Sequence, residues 1–426
     1  MKPRAVEDYL TPPTRRGLRS RGRFDVPSYL YPYMPSILDE AKTSIEQAIR
    51  LRKGDDRIAI PVDIVDWAQE RFYIPATGKP IQLYPHQQGI LRLAFTRNEQ
   101  GHFPYRTIVY STIKQSGKST IAGLVQRWYA ETQQRHSELY AIGNDKEQAK
   151  TRSFREVRRS LELTPGYDTK RERLPGEWEL LKETMRCVRT GTEIRALAVD
   201  AKGEAGGKPA IQVWTELWGF ENEDALRFWD ELTPIPTIPD SLRIVETYAG
   251  YLQESTLLLS LYEQGLEGRQ LTAGELTERT GAPLDAFAET RGDPDALIPI
   301  WENVNAEMLM YWDSGLDARR MPWQLDERGQ RYYQQQELTL LPAAFARLHR
   351  NEWVSDTSNF IQAEIWDACH DSTIPALEPG DRTPLVLGVD AATTGDCFGI
   401  VAVSRHPARH DEIAVRAVKK WDPKES

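Results

Sequence analysis

Thr107-Ile108-Val109-Tyr110-Ser111-Thr112-Ile113-Lys114-Gln115-Ser116-Gly117-Lys118-Ser119-Thr120 is the stretch on which the reading of this chain turns. Its first four residues are β-prone, a polar loop follows, and Ile121, Leu124, Val125 and Trp128 then recur at helical spacing. Strand, loop and helix in that order are the setting a phosphate-binding loop requires. Gly117 lets backbone amides approach a phosphate, Lys118 is placed to reach its outer oxygens, and the Ser119 hydroxyl is of the type that ligates magnesium. Thr112 stands where the usual motif has its first glycine. The plainer reading of the same residues is an ordinary strand-to-helix turn.

Working outward, the pattern repeats. Leu139-Tyr140-Ala141-Ile142 reads as a strand and Asn144-Asp145 as a turn and helix cap; a helix carrying Lys146, Lys150, Arg152, Arg155, Arg158 and Arg159 follows. Residues 185–189 and 192–197 flank Thr190-Gly191 as a hairpin, and a glycine-rich loop occupies 202–209. Ile211 to Trp214 and Leu242 to Val245 supply two more short strands. The alternation predicts an α/β fold with an open, mostly parallel central sheet. The strand ending at Trp214 runs into Thr215-Glu216, where nucleotide hydrolysis would call for two acids. Glu216 is the candidate water-activating carboxylate, with a purely magnesium-binding role as its rival, and Thr215 leaves the site one anion short.

Composition sets the outer bounds. The chain has 426 residues, 40% of them apolar, enough for two or three domains with real cores. Its 54 basic and 63 acidic residues give a net charge of −9, so any contact with nucleic acid has to be local. No apolar run approaches the roughly 18 residues of a membrane span, and three scattered cysteines suggest a reducing compartment without disulfides. Residues 1–57 are expected to form a basic mobile arm, either a solvated tail or a nucleic-acid contact; the first 25 hold seven bases against three acids. Residues 267–298, polar and rich in Gly, Thr and Asp, read as a connector or surface excursion. Beyond Met321 the pattern is helical and aromatic, with Trp323, Tyr332, Tyr333, Phe345, Trp353 and Trp366 read as packing between domains. A fresh set of strands starts at Leu385.

In their order along the chain, these features resemble the large subunit of tailed-bacteriophage terminase. Leu83-Tyr84-Pro85-His86-Gln87 resembles the family's adenine-reading segment. Residues 114–119 resemble its variant P-loop, which often lacks the first glycine. Thr215-Glu216-Leu217-Trp218 is similar to its acidic strand end, with Thr replacing Asp, and Thr247-Tyr248-Ala249-Gly250 to its coupling motif. Residues 348–353 and 366–369 resemble the stretch joining motor to nuclease, and Asp390 the first acid of an RNase H-like site.

The resemblance implies a P-loop NTPase fold of the ASCE type over 58–345, a helical linker over 346–383, and the start of an incomplete RNase H-like domain over 384–426. It further implies an ATP-hydrolysing motor that moves double-stranded DNA into a procapsid in the cytoplasm of an infected bacterium. ATP would be bound by Gln87, Gln115, Ser116, Gly117, Lys118, Ser119 and Thr120, with Mg2+ on Ser119. Glu216 and Lys118 would be catalytic, Lys114 would steady transition-state charge, and Thr247 would report the nucleotide state. An arginine from a neighbouring subunit is also possible, with Arg152, Arg155, Arg158 and Arg159 as candidates. The nuclease metal, Mg2+ or Mn2+, would sit on Asp390 and Asp396. Too few acids follow for this chain to cut DNA by itself, and a truncated chain is expected. Implied partners are the small terminase subunit, the portal and further copies of the chain in a ring. Another P-loop translocase or helicase, and an inactive adaptor, are the competing readings.

Overall fold

The computed structural model describes residues 62–199, 207–238, 240–355, 366, 368–390 and 398–421. The basic arm, most of the glycine-rich loop, and Asp396 lie outside them. The chain divides into two compact units, 1–357 and 358–426.

At the centre of the first unit, six parallel strands form the middle of an 11-stranded sheet. They are β1 (Thr107–Ser111), β2 (Glu138–Gly143), β3 (Glu193–Ala198), β4 (Pro209–Thr215), β5 (Leu242–Thr247) and β6 (Met308–Trp312), lying side by side in the order β6-β1-β5-β4-β2-β3. Strand β5 thus separates the strand of the phosphate-loop sequence from the strand that ends at Thr215, the inserted strand that distinguishes ASCE-type P-loop folds. Antiparallel wings extend the sheet beyond β3 and β6.

Side-chain alternation in these strands feeds two cores. Ile108, Tyr110, Ile211, Val213 and Ile244 point to one face, whereas Val109, Trp214 and Val245 point to the other. Both faces are covered, which is why the strands read as nearly continuous apolar runs. On the first face lie α1 (Pro85–Phe95), α2 (Lys118–Thr132) and α3 (Ser153–Leu163). Helix α2, expected to be amphipathic, is buried on almost every side, because α3 and the helix Ile64–Arg71 both pack against it. Gly123 permits the α3 approach: a Cβ there would sit 2.8 Å from the Ser153 carbonyl.

The structure corrects three expectations. The basic segment 146–159 is two helices, Lys146–Thr151 and α3, broken at Arg152, whose φ of −112° and ψ of −121° are not helical. Residues 267–298 are neither a connector nor a surface excursion but part of the sheet and its core: Arg269–Thr272 and Leu297–Asn303 pair as outer strands, with a helix, Ala273–Thr280, between them. The aromatic residues up to Trp353 pack inside the first unit. Trp353 stacks on Trp312 at 5.6 Å, and Tyr332, Tyr333 and Phe345 surround His349 on the helix α4 (Pro342–Arg350).

The second unit contains an antiparallel three-stranded sheet, Val386–Asp390, Phe398–Arg405 and Ile413–Trp421. Ala402 and Ala414 are buried, while Val386, Val389, Val415 and Val418 are exposed.

Candidate functional site

The residues between β1 and α2 bend through two left-handed positions, Gln115 at φ 67° and Gly117 at φ 79°. Left-handed backbone costs a non-glycine residue about 1 kcal/mol, so the Gln115 conformation is held by its surroundings and not by local preference. Such a bend turns successive amide N–H groups toward one point at a helix N-terminus, where an anion is stabilised. Gln87, buried on α1, lies over this bend: a Cβ on Gly117 would be 4.0 Å from its Nε2. The Gln87 Oε1 accepts from the Tyr84 backbone N–H and so closes the start of α1. Ser116 is buried and its Oγ accepts from Gln324 Nε2, while the Thr120 hydroxyl donates to Glu156. Lys114 and Gln115 are exposed, and the Lys114 charge acts on Lys118.

Lys118 is buried and turns back over the loop, donating to the carbonyls of Thr112 and Ile113 at 3.1 and 3.2 Å. Burial pushes its ammonium pKa down, and the carboxylates of Glu216 and Glu246 oppose that shift. Its Nζ also lies 4.9 Å from the centre of the Tyr248 ring.

Glu216 follows the last residue of β4 in a left-handed conformation, φ 56° and ψ 53°. Its amide donates to the Glu246 carbonyl at 2.8 Å, and its Oε2 accepts from Trp218 Nε1 at 2.9 Å. Strained backbone at a buried carboxylate is a mark of functional sites. The Trp218 ring stacks on Tyr248, and the Arg347 guanidinium lies 4.3, 5.1 and 4.6 Å from the rings of Trp218, Tyr248 and Tyr251. Lys118, Glu216 and the aromatic shelf therefore gather where β1, β4 and β5 end, the crevice in which open α/β sheets bind ligands.

Glu246, on β5, was not foreseen. It is fully buried; its Oε1 accepts from the Ser119 hydroxyl at 3.1 Å, and its Oε2 has no hydrogen bond. Burial and the neighbouring Glu216 charge push its pKa up to about 8, against the pull of Lys118 and the Ser119 and Thr215 hydroxyls. A carboxylate near the end of a strand buried along its whole length, directly after Ile244 and Val245, was the sequence signal that could have marked it.

Thr247 is buried; its hydroxyl donates to the Tyr248 carbonyl and its own carbonyl accepts from the Thr112 N–H, where the loop begins. Asn351, the left-handed cap of α4, ties neighbouring strand ends together. Its side chain hydrogen-bonds to the Ser111 hydroxyl, the Ala249 N–H and the Asp313 carbonyl. Asn351→Ala would leave these buried groups unsatisfied and keep an unfavourable φ, so a loss of about 2–4 kcal/mol is expected. Asn351→Gly loses the same bonds without the backbone cost and is expected to be about 1 kcal/mol less destabilised. Urea unfolding checks this; indistinguishable variants would refute the backbone part of the account.

Of the four arginines the sequence could not rank, Arg152 acts electrostatically on both Lys118 and Tyr248. Arg158 pairs with Glu162 and Glu172, while Arg155 and Arg159 approach Glu156. The basic face is thus largely occupied with its own acids. Asp390 ends an exposed strand in the second unit, and among the described residues no group of three or more His, Cys, Asp or Glu could hold a metal. No described helix is long and apolar enough to cross a membrane.

No protein-family model matches the chain, and no curated protein does. Solved structures are similar to it at low identity. The large terminase of bacteriophage HK97 is 15% identical over 85% of this chain and 68% of its own, with a TM-score of 0.48. For the ATPase domain of the Thermus phage P74-26 large terminase the identity is 15%, the coverage 64% and 100%, and the TM-score 0.37. A large terminase from a thermophilic bacteriophage, solved in complex with ADP, is 9% identical over 80% of this chain and 69% of its own, with a TM-score of 0.39. By its own strand order and loop geometry the chain is a P-loop-type α/β protein, and it is similar at low identity to phage large terminases.

Proposed function

We propose that this chain is the ATP-hydrolysing motor of a terminase large subunit, moving double-stranded DNA into a viral procapsid. One observation carries the reading: a lysine at the start of α2 and a strained carboxylate at the end of β4 lie within each other's field, beside a loop bent to receive an anion. The order of motifs along the sequence narrows the motor to the terminase type.

In this reading the amides of residues 115–120 and Lys118 hold the triphosphate, and the Gln87 amide, lying over the loop, meets the adenine. Lys118 would exchange its two loop carbonyls for phosphate oxygens, which restores a charge partner to a buried ammonium. Glu216 orients and deprotonates the attacking water. Ser119 would hold magnesium, and the orphaned buried carboxylate oxygen beside it supports the fit of a hard, oxygen-seeking cation. When bound, that ion supplies charge neutralisation on the outer phosphates. Lys114 and Arg152 are the nearby cations for transition-state charge, and Thr247 is tied to the loop closely enough to sense it.

The proposal extends to the partners implied by the family: duplex DNA, the small subunit, the portal, and further copies in a ring, in the host cytoplasm. The strand ending at Asp390 would begin an RNase H-like nuclease using Mg2+ or Mn2+. DNA-stimulated ATP hydrolysis tests the motor. Lys118→Ala is expected to lower it by about 100-fold or more, and equal rates in native chain and variant would eliminate the reading.

A further inference from the structure

The site has Thr215 where a magnesium-side carboxylate would be expected, and the sheet contains a replacement one strand away. Strand β5 pairs in parallel with β4, and the register sets Glu246 opposite Thr215. Register partners in neighbouring strands project from the same face, and adjacent strands are about 4.8 Å apart. Because β5 lies between β4 and β1, Glu246 stands one strand nearer the phosphate loop than Thr215 does. Glutamate is also a methylene longer than aspartate.

We propose that Glu246 supplies the magnesium-side carboxylate that position 215 lacks, acting together with the Ser119 hydroxyl. Two observations besides the register support this. The Ser119 hydroxyl, the family-type magnesium ligand of the loop, already donates to Glu246 Oε1 at 3.1 Å. The second oxygen, Oε2, is buried and has no hydrogen bond of normal geometry, although the Thr215 hydroxyl is close enough to pull the carboxyl down. A buried carboxylate with an open oxygen is expensive to keep unless a cation completes it. Its competitor is a purely structural role, in which Glu246 only balances the charge of Lys118.

The inference rests on the proposed nucleotide site, and the experiment separates the two. Affinity for a fluorescent ATP analogue would be measured in Mg2+ and in EDTA, with Mn2+ binding followed by its electron paramagnetic resonance signal in the presence of ADP. Glu246→Gln nearly preserves shape and can still accept from Ser119. It is expected to weaken Mn2+ binding and the Mg2+-dependent gain in affinity by roughly 10- to 100-fold, with metal-free affinity unchanged. Thr215→Asp combined with Glu246→Gln returns a carboxylate to the other strand and is expected to recover most of the loss. Glu246→Gln retaining native Mn2+ affinity, or a double variant no better than the single one, would overturn the inference and leave the nucleotide site standing. Failure of the native chain to bind the analogue in either condition would overturn both.

Discussion

Glu216→Gln is expected to lower the turnover of ATP by roughly 10²- to 10⁴-fold while ATP affinity stays within about threefold of native. The substitution is informative because it changes so little else. Glutamine retains an oxygen to accept from Trp218 Nε1, and the backbone bond from residue 216 to the Glu246 carbonyl is untouched. What disappears is the negative charge and the ability to take a proton from water. The same loss removes the carboxylate that both holds the Lys118 ammonium charged and repels Glu246, so both groups are expected to shift down in pKa. Single-turnover hydrolysis alongside nucleotide titration separates binding from chemistry. A fall of less than about tenfold at native affinity would remove Glu216 from the role of water-activating base.

How far the sequence reaches is clear from particular residues. β1, the loop and α2 were legible because periodicity and loop chemistry agree there. Residues 267–298 were misread because glycine, threonine and aspartate also occur inside short regular elements. The capping box, Thr272 with Glu275 three residues on, was present as a helix-start signal, and the structure forms it. Glu246 was harder to find. Its meaning comes from lying opposite Thr215 and against Ser119, and strand register joins residues far apart in the chain. Asn351 and Arg347 fall in or beside a stretch noted for its resemblance to the terminase junction. Their hydrogen-bonding and ring-stacking partners at the ends of β1, β4 and β5 could not be read from spacing. The break at Arg152 did have a mark, the weak helix formers Thr151 and Ser153 and a Ser153-to-Glu156 helix-start spacing, which the surrounding basic run obscured.

Glu131→Ala is expected to cost about 3–5 kcal/mol of stability at neutral pH, the largest loss anticipated from any single side chain here. Glu131 lies in the last turn of α2, where the helix dipole disfavours a negative charge, and it is almost wholly buried. It is kept there by four donors: Trp67 Nε1 and Arg71 Nε at one oxygen, Arg127 Nε and Trp178 Nε1 at the other. These join the helix Ile64–Arg71, α2 and the strand Trp178–Leu180. Burial alone would raise the pKa of Glu131, but the charges of Arg127 and Arg71 and the donated hydrogen bonds outweigh it and bring the group down to about 2. A carboxyl whose folded pKa lies below its unfolded value stabilises the fold fully above the unfolded pKa of about 4.3. That contribution is lost as pH falls toward the folded value. The difference in unfolding free energy between native chain and Glu131→Ala should therefore be constant from pH 7 to about 5 and shrink below about 4. Denaturant unfolding at several pH values would test this, and a gap that persists unchanged to pH 3 would refute the assignment. Because α2 begins at Lys118 and ends at this hub, the variant should bind ATP normally wherever it remains folded. A lowered affinity in the folded variant would mean that the far end of the helix also sets the geometry of the loop.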